Sequence, residues 1–236
     1  MMRLVERSNL ALEPEDVLVL PEQVGGHASE RDYVDDVAWL ARSCGCHVVG
    51  GSHIRETDQG LVNCGVVTDG SGSILAEYEK ANPYGPEIAW GVTAGRGGAQ
   101  FEVAGLSILV IVCADFWYAE SYQGFERQPD AVVIPALTLS RRPSPRFARA
   151  RWRHAVATKS YELTAFVGVS DWAAPPSGVF GGSGVSGFAD PNPPRPEGFF
   201  QSLGRKQLAA FPLDPGALEE LRGSRQERGF RAAPSP

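Results

Sequence analysis

Leu106-Ser-Ile-Leu-Val-Ile-Val-Cys113-Ala-Asp-Phe-Trp-Tyr-Ala-Glu120 is the stretch whose reading decides the fold. Its first part, Leu106 to Val112, is almost wholly apolar and rich in β-branched residues. That is the pattern of a strand buried on both faces, and it is too short to span a membrane. One cysteine stands at the strand's end, followed by Asp115 and a helix-compatible run. Strand-to-helix junctions in layered α/β folds present reactive side chains from a rigid element into a cleft. Taken alone, Cys113 is a small core residue, the usual place of a free cysteine. The segments around it decide otherwise.

Two more buried-looking segments end in a reactive group: Val17–Pro21 in Glu22, and Ile74–Glu79 in Lys80. Between and beyond them the pattern predicts further elements. Ser29 caps a helix with Asp32 three residues on, Val34, Val37, Ala38 and Ala41 form its apolar face, and Gly45 ends it. Cys46–His53 and Leu61–Asp69 read as strands, and Asp69-Gly-Ser-Gly72 turns a hairpin into Ser73–Glu79. A loop with two prolines carries Lys80 to Glu87. Gln100–Val103 pairs with Leu106–Val112 around Ala104-Gly105, and Ala131–Pro135 is a further strand. An arginine-rich helix spans Ser144–Glu162. Leu163–Val169, Ser183–Ala189 and Gln207–Pro212 read as strands, and Ala217–Arg222 as a short helix. Residues 1–222 are expected to form one domain and 223–236 a disordered tail. Hairpins interspersed with helices favour two sheets covered outside by helices.

The 236 residues are 43% hydrophobic, enough for a full core, and the net charge of −6 does not suit a general nucleic-acid binder. The polar start, Met1 to Ser8, does not read as a signal peptide. Four cysteines at 44, 46, 64 and 113 do not form a secreted disulfide framework, so a cytoplasmic location is expected. Three lysines, at 80, 159 and 206, leave few places for a catalytic one. Other patterns are set aside. Gly182-Ser-Gly-Val-Ser-Gly187 fits a dinucleotide fingerprint by letter but has no helix pattern after it. There is no Gly-x-Ser-x-Gly elbow. Cys44, Cys46 and His47 lack a second ligand pair, so no metal is expected. The arginines at 141, 142, 146, 149, 151 and 153 read as a solvated helix start, with an anionic substrate or a partner chain as the alternative.

Five motifs in order resemble the carbon–nitrogen hydrolase (nitrilase/amidase) superfamily. They are Val-Leu-Pro-Glu22, Tyr-Glu-Lys80 with its proline loop and Glu87, and Ile-Val-Cys113-Ala-Asp115 with Glu120. Trp152 with Lys159-Ser-Tyr-Glu162 follows, then Gly181-Gly-Ser183 with Asp190-Pro191. The resemblance covers about residues 16 to 220. It implies a four-layer α-β-β-α sandwich, a Glu22-Lys80-Cys113 triad, no cofactor, and a homodimer or higher homo-oligomer. The amino-terminal segment is expected to be abbreviated, since the family has a strand and a long helix before its first glutamate.

The chemistry accounts for these residue types. A neutral thiol is a weak nucleophile toward an amide. Glu22 can take the thiol proton, return it to the leaving amine and then activate water against the thioester. Lys80 and the Ala114 backbone N–H can hold the oxyanion. Glu87 is expected to position Lys80 and substrate, and Asp115 and Glu120 to hold the elbow by hydrogen bonds. The charges of the triad are expected to favour the ionised form of each member. Ala114, Trp117 and Leu163 stand where the family has an aromatic, an arginine and an asparagine. Cys-Ala-Asp argues against nitriles, for which Cys-Trp-Glu is usual, and Trp117 is reminiscent of glutaminase domains. The expected activity is hydrolysis of a small linear amide or carbamoyl compound. The alternatives are a glutaminase-like amidase and a binding module without turnover. No nucleic-acid or membrane partner is expected.

Overall fold

The structure is a computed structural model describing residues 10–26, 28–125, 127–139, 144–173, 182–204 and 206–230. Its first sheet contains β1 (Val17–Val19), β2 (His47–Val49), β3 (His53–Thr57), β4 (Gly60–Thr68) and β5 (Ile74–Glu79). β1 runs parallel to β2, and β4 is antiparallel to β2, β3 and β5. The nine residues of β4 serve both edges, taking β2 and β3 in succession on one and β5 on the other. Cys46–His53 is therefore not one strand. It breaks at Gly50-Gly51-Ser52, because the chain leaving β1 crosses there. A Cβ on Gly51, which sits at φ +70°, would lie 2.2 Å from Pro21 O. Only glycine accepts that conformation and that approach together.

Helix α1 (Glu30–Cys44) covers the outer face of this sheet. Ser29 Oγ accepts from Asp32 N at 3.1 Å, and Gly45 ends the helix in the left-handed region at φ +67°, as the sequence pattern requires. Tyr33, Val37, Ala38, Leu40 and Ala41 are its buried face; Val34 is only half-buried. These residues meet Leu18, Leu20, Val48 and Val66 in an outer apolar layer.

The second sheet has the order β11-β10-β9-β8-β7-β6, from β6 (Ala99–Val103), β7 (Leu106–Val110), β8 (Ala131–Ala136), β9 (Phe166–Asp171), β10 (Gly187–Ala189) and β11 (Gln201–Ser202). β7, β8 and β9 are parallel neighbours, which is why the Leu106–Val112 run is apolar throughout. A short helix α2 (Pro86–Ala89) lies between the sheets in sequence, and α3 (Arg146–Leu163) covers β9 and β10. The inner faces share one core. Val49, Val67 and Tyr78 come from the first sheet, and Leu109, Val110, Ile134 and Val167 from the second. Each such side chain contributes about 1.5–3 kcal/mol on burial. This is the expected α-β-β-α layering.

Several boundaries differ from the sequence reading. α3 runs through Leu163, which is buried in the core, and Thr164 stops it at φ +47°, so β9 starts only at Phe166. The expected strand Ser183–Ala189 shortens to β10, whose start at Gly187 ends any dinucleotide reading of the preceding glycines. Gln207–Pro212 is not a strand. Phe211 instead stacks on Phe188, with ring centroids 5.1 Å apart, so packing and not a ladder explains its apolar residues. α4 (Pro215–Glu227) continues past Arg222, and residues 231–236 lie outside the described part, as do residues 1–9. β1 stands at the end of its sheet among the described residues.

Candidate active site

Four of the residues singled out from sequence come together where strands of both sheets end. Glu22, Lys80, Glu87 and Cys113 are 2%, 2%, 3% and 8% exposed. Lys80 Nζ is the hub, 2.7 Å from Glu22 Oε1 and 2.5 Å from Glu87 Oε2. Cys113 Sγ lies 3.8 Å from Leu137 O, whose own residue donates its N–H to Glu22 Oε2 at 2.8 Å. Glu87 is not on an open loop. It sits in the first turn of α2, where its Oε2 also accepts the Tyr84 N–H at 2.9 Å.

Local geometry explains how each group is presented. Cys113 opens a 3-10 turn, Cys113–Trp117, which begins after Ile111 and Val112 have extended the line of β7, and holds a positive φ of +44°. Such a conformation costs a non-glycine residue of order 1–3 kcal/mol and turns the side chain out of the strand's path. Gln23, at φ +57°, makes a similar corner after Glu22, and Trp172 Nε1 donates to Glu22 O at 2.7 Å. Lys80 is anchored by its backbone N–H to Asn63 O at 2.8 Å. Asp115 ties the cysteine corner to the lysine loop, accepting from Ala81 N at 3.1 Å, Asn82 N at 2.8 Å and Asn82 Nδ2 at 2.8 Å. Ala114 is buried beside it. Glu120 is exposed on a second 3-10 turn, Ala119–Tyr122, where it lines a surface cleft with Ala81 and Asn82 of the lysine loop.

The electrostatics depart from expectation. Burial pushes the Glu22 carboxyl up; Lys80 opposes this and the Glu87 charge adds to it. Burial also pushes the Cys113 thiol well up, reinforced by Glu22 against Lys80. Burial disfavours the Lys80 ammonium, but Glu22, Cys113 and Glu87 outweigh it and hold it charged. Desolvation thus favours a neutral thiol, whereas the charges alone were expected to ionise every member.

Two positions that the sequence reading passed over belong to the site. Asn63 Nδ2 donates to Glu22 Oε1 at 2.9 Å and to Glu87 Oε1 at 2.6 Å. Its signal was an amide in the middle of an otherwise apolar strand. Asp171, at the end of β9, accepts from Thr138 N at 3.0 Å and Thr138 Oγ1 at 2.7 Å, fixing the residue after Leu137. It obeys the same strand-end rule that picked out Glu22, Lys80 and Cys113. The arginine cluster gives one inward contact, Arg149 Nε to Ser183 O at 2.6 Å, while Arg146, Arg151 and Arg153 are exposed and Arg141 and Arg142 lie outside the described residues.

Two sheets covered by these helices have counterparts among solved structures. A CN-hydrolase superfamily protein of Xanthomonas campestris, with an arsenic adduct in its active site, superposes with a TM-score of 0.71 at 20% identity, over 92% of this chain and 85% of its own. The chain has the nitrilase-superfamily fold. Saccharomyces cerevisiae Nit3, of branch 10 of that superfamily, gives 0.71 at 16% identity, over 94% and 83% of the two chains. An amidase of Nesterenkonia sp. gives 0.62 at 18%, over 95% and 85%. No family model and no curated protein sequence matches. No helix among the described residues is long and apolar enough to cross a membrane.

Proposed function

We propose that the protein is a cofactor-free thiol hydrolase that cleaves the non-peptide C–N bond of a small linear amide or carbamoyl compound. The observation that carries this reading is the shared Lys80 ammonium, bonded at once to Glu22 and Glu87, with the Cys113 thiol at the carbonyl of Leu137, the residue whose N–H holds Glu22. A thiol that rests neutral needs a base at the moment of attack. Glu22 Oε2 takes the S–H proton as Sγ bonds to the carbonyl carbon, and the carbonyl oxygen becomes an oxyanion facing Lys80 and the Ala114 N–H. Collapse breaks the C–N bond, and the proton on Glu22 passes to the leaving ammonia or amine. Water then loses a proton to Glu22 and attacks the thioester carbonyl; the C–S bond breaks, the carboxylic acid leaves, and Glu22 returns its proton to the Cys113 sulfur. Glu87 holds Lys80 in place against the pull of Glu22.

The likeness to an amidase supports the reaction class, and in a variant of that Nesterenkonia enzyme acrylamide has added to the active-site cysteine. The burial of all four groups favours small substrates. Cytoplasmic location and a homodimer are part of the same proposal; a solution mass equal to one chain at micromolar concentration would remove the dimer. The test of function is ammonia release from a panel of aliphatic amides, glutamine, carbamoyl amino acids and nitriles, with folded protein and a thiol reductant present. Release from the amide or carbamoyl members is expected and none from the nitriles. Silence across the panel would leave the binding-module reading in its place.

A further inference from the structure

Asn63 stands in the middle of β4, fully buried, and uses its amide NH2 in the site. Its two N–H groups go to two different carboxylates, Glu22 Oε1 and Glu87 Oε1. Its backbone carbonyl receives the Lys80 N–H. Its Oδ1 has no donor among the described residues, a cost that a valine or leucine at this strand position would not carry. A buried amide kept at that cost is there for its NH2.

The arrangement of donors around Glu22 is asymmetric. Oε1 receives two, Lys80 Nζ at 2.7 Å and Asn63 Nδ2 at 2.9 Å, while Oε2 receives one, Leu137 N at 2.8 Å. An sp² oxygen has two lone pairs, so Oε1 is filled and Oε2 keeps one free. A proton placed on Oε1 would confront two donor hydrogens. A proton placed on Oε2 sits beside Leu137, the residue whose carbonyl is the neighbour of Cys113 Sγ.

We infer that Asn63 is a positioning residue that selects Glu22 Oε2 as the atom carrying the shuttled proton, by occupying the second lone pair of Oε1. This deepens the proposed hydrolase reading and rests on it for its catalytic consequence. In each half-reaction the proton arrives at Oε2 from Cys113 or water and leaves from Oε2 to the amine or to the enzyme thiol. Without Asn63, Oε1 has a free lone pair on the Lys80 side, where the proton can rest but reaches neither thiol nor leaving group. Asparagine suits the position for its charge as well. The ionisable groups facing Glu22 are Lys80 from the end of β5, Glu87 from α2 and Cys113 from the 3-10 turn, with Asp115 acting through Lys80. A neutral double donor binds two carboxylates without adding a third charge.

The test replaces Asn63 and reads pH dependence, which a merely structural role would not move. Asn63→Leu removes both donors at similar size. It should lower turnover about 10- to 100-fold, the range for a lost hydrogen bond to a buried charged group. It should also move the ascending limb of the pH–rate profile to higher pH, because a carboxylate that loses a donor holds its proton more tightly. Asn63→Asp, with a third carboxylate, should move that limb further. Asn63→Ser, with one donor, should fall between wild type and Asn63→Leu, and covers the case in which the leucine variant does not fold. The same series is read without turnover through the pH dependence of Cys113 alkylation by iodoacetamide, mapped by peptide mass. A midpoint that rises in Asn63→Leu supports the inference even if the wild type hydrolyses no amide, in which case only the function reading falls. A uniform loss of rate at every pH, or no change, overturns the role assigned to Asn63.

Discussion

The chain holds two buried thiols beside a proton acceptor, and comparing them shows what makes one of them a candidate nucleophile. Cys64, 5% exposed, lies 3.3 Å from His53 Nε2; Cys113, 8% exposed, meets the carbonyl of Leu137, whose N–H donates to Glu22. By residue type, a thiol–imidazole pair is the more familiar dyad. Its surroundings work against it. His53 is stacked on Tyr33 with ring centroids 4.1 Å apart, and burial lowers its basicity. Burial pushes the Cys64 thiol up to about 11, with Arg55 opposing. Arg55, the nearest cation, is already committed to Glu30 at 2.6 Å and Glu79 at 2.9 Å. Cys64 is also ladder-bonded on both sides, to His53 in β3 and Glu79 in β5, so its backbone N–H is not free to hold an oxyanion, although with His53, Arg55 and Glu79 it lines a cavity of about 290 Å³. Cys113 has the opposite setting: a strand end, a left-handed corner, an anionic acceptor and a charged lysine between two carboxylates. A neighbouring base does not make a nucleophile; position at a strand end with a fixed cation does.

The largest expected effect separates the two cysteines directly. Incubation with a reactive small amide or ester should add one acyl mass, mapping to the peptide that contains Cys113. Cys113→Ala should abolish both this adduct and turnover while keeping the fold, and Cys64→Ala should preserve both. An adduct on Cys64 with activity surviving in Cys113→Ala would reverse the comparison. Next in size come the partners. Glu22→Gln should slow acylation and deacylation together by about 10²–10⁴-fold, as expected for a general acid–base group. Lys80→Met should cost about 10²–10³-fold through the lost oxyanion donor. His53→Ala should leave turnover intact and lower only thermal stability, because the ring packs on Tyr33 and serves no reacting atom. Turnover that falls with His53 and survives loss of Glu22 would assign the chemistry to the wrong half of the first sheet.

Much of this was legible in the sequence, for a physical reason. Parallel central strands must be apolar on both faces, so Leu106–Val112 announces itself, and the residue that ends such a run is the first free to be polar. The same logic finds Glu22 after the parallel strand β1 and applies equally to Asp171 after β9, whereas Lys80 follows an antiparallel strand that is buried only at its end. Asn63 escaped because its position is mid-strand; period-2 reading places it inside but does not say which layer it faces. The break at Gly50-Gly51 escaped because its cause is the remote Pro21 carbonyl, a contact 30 residues away in sequence. Glu120 is the converse case. It lies seven residues beyond the cysteine, but the two 3-10 turns carry it to the surface. The preference of Cys113 for its neutral form also depends on burial, which no charge count along the chain conveys.

The smallest effect concerns stability, where the two kinds of cysteine should behave alike. Cys64 and Cys46 both hold their protons to about pH 11, because burial disfavours the thiolate. In the unfolded chain a thiol ionises near 8.5. A folded-state value raised above the unfolded one means that its contribution is complete below the unfolded value and is lost as pH rises through the folded one. The window is therefore about pH 8.5 to 11, over which the unfolded chain releases thiol protons that the folded chain still binds. Urea midpoints measured at pH 8, 9.5 and 11 should fall across this range in the wild type. In Cys64→Ala the fall should be shallower, since one of the thiols that ionises early on unfolding is gone. Tyrosines and lysines titrate in the same range, but they are common to both proteins and cancel in the difference. Parallel decline in the two proteins would mean that Cys64 loses its proton as readily folded as unfolded. Its pocket would then no longer differ from water, and the contrast with Cys113 would rest on backbone geometry alone.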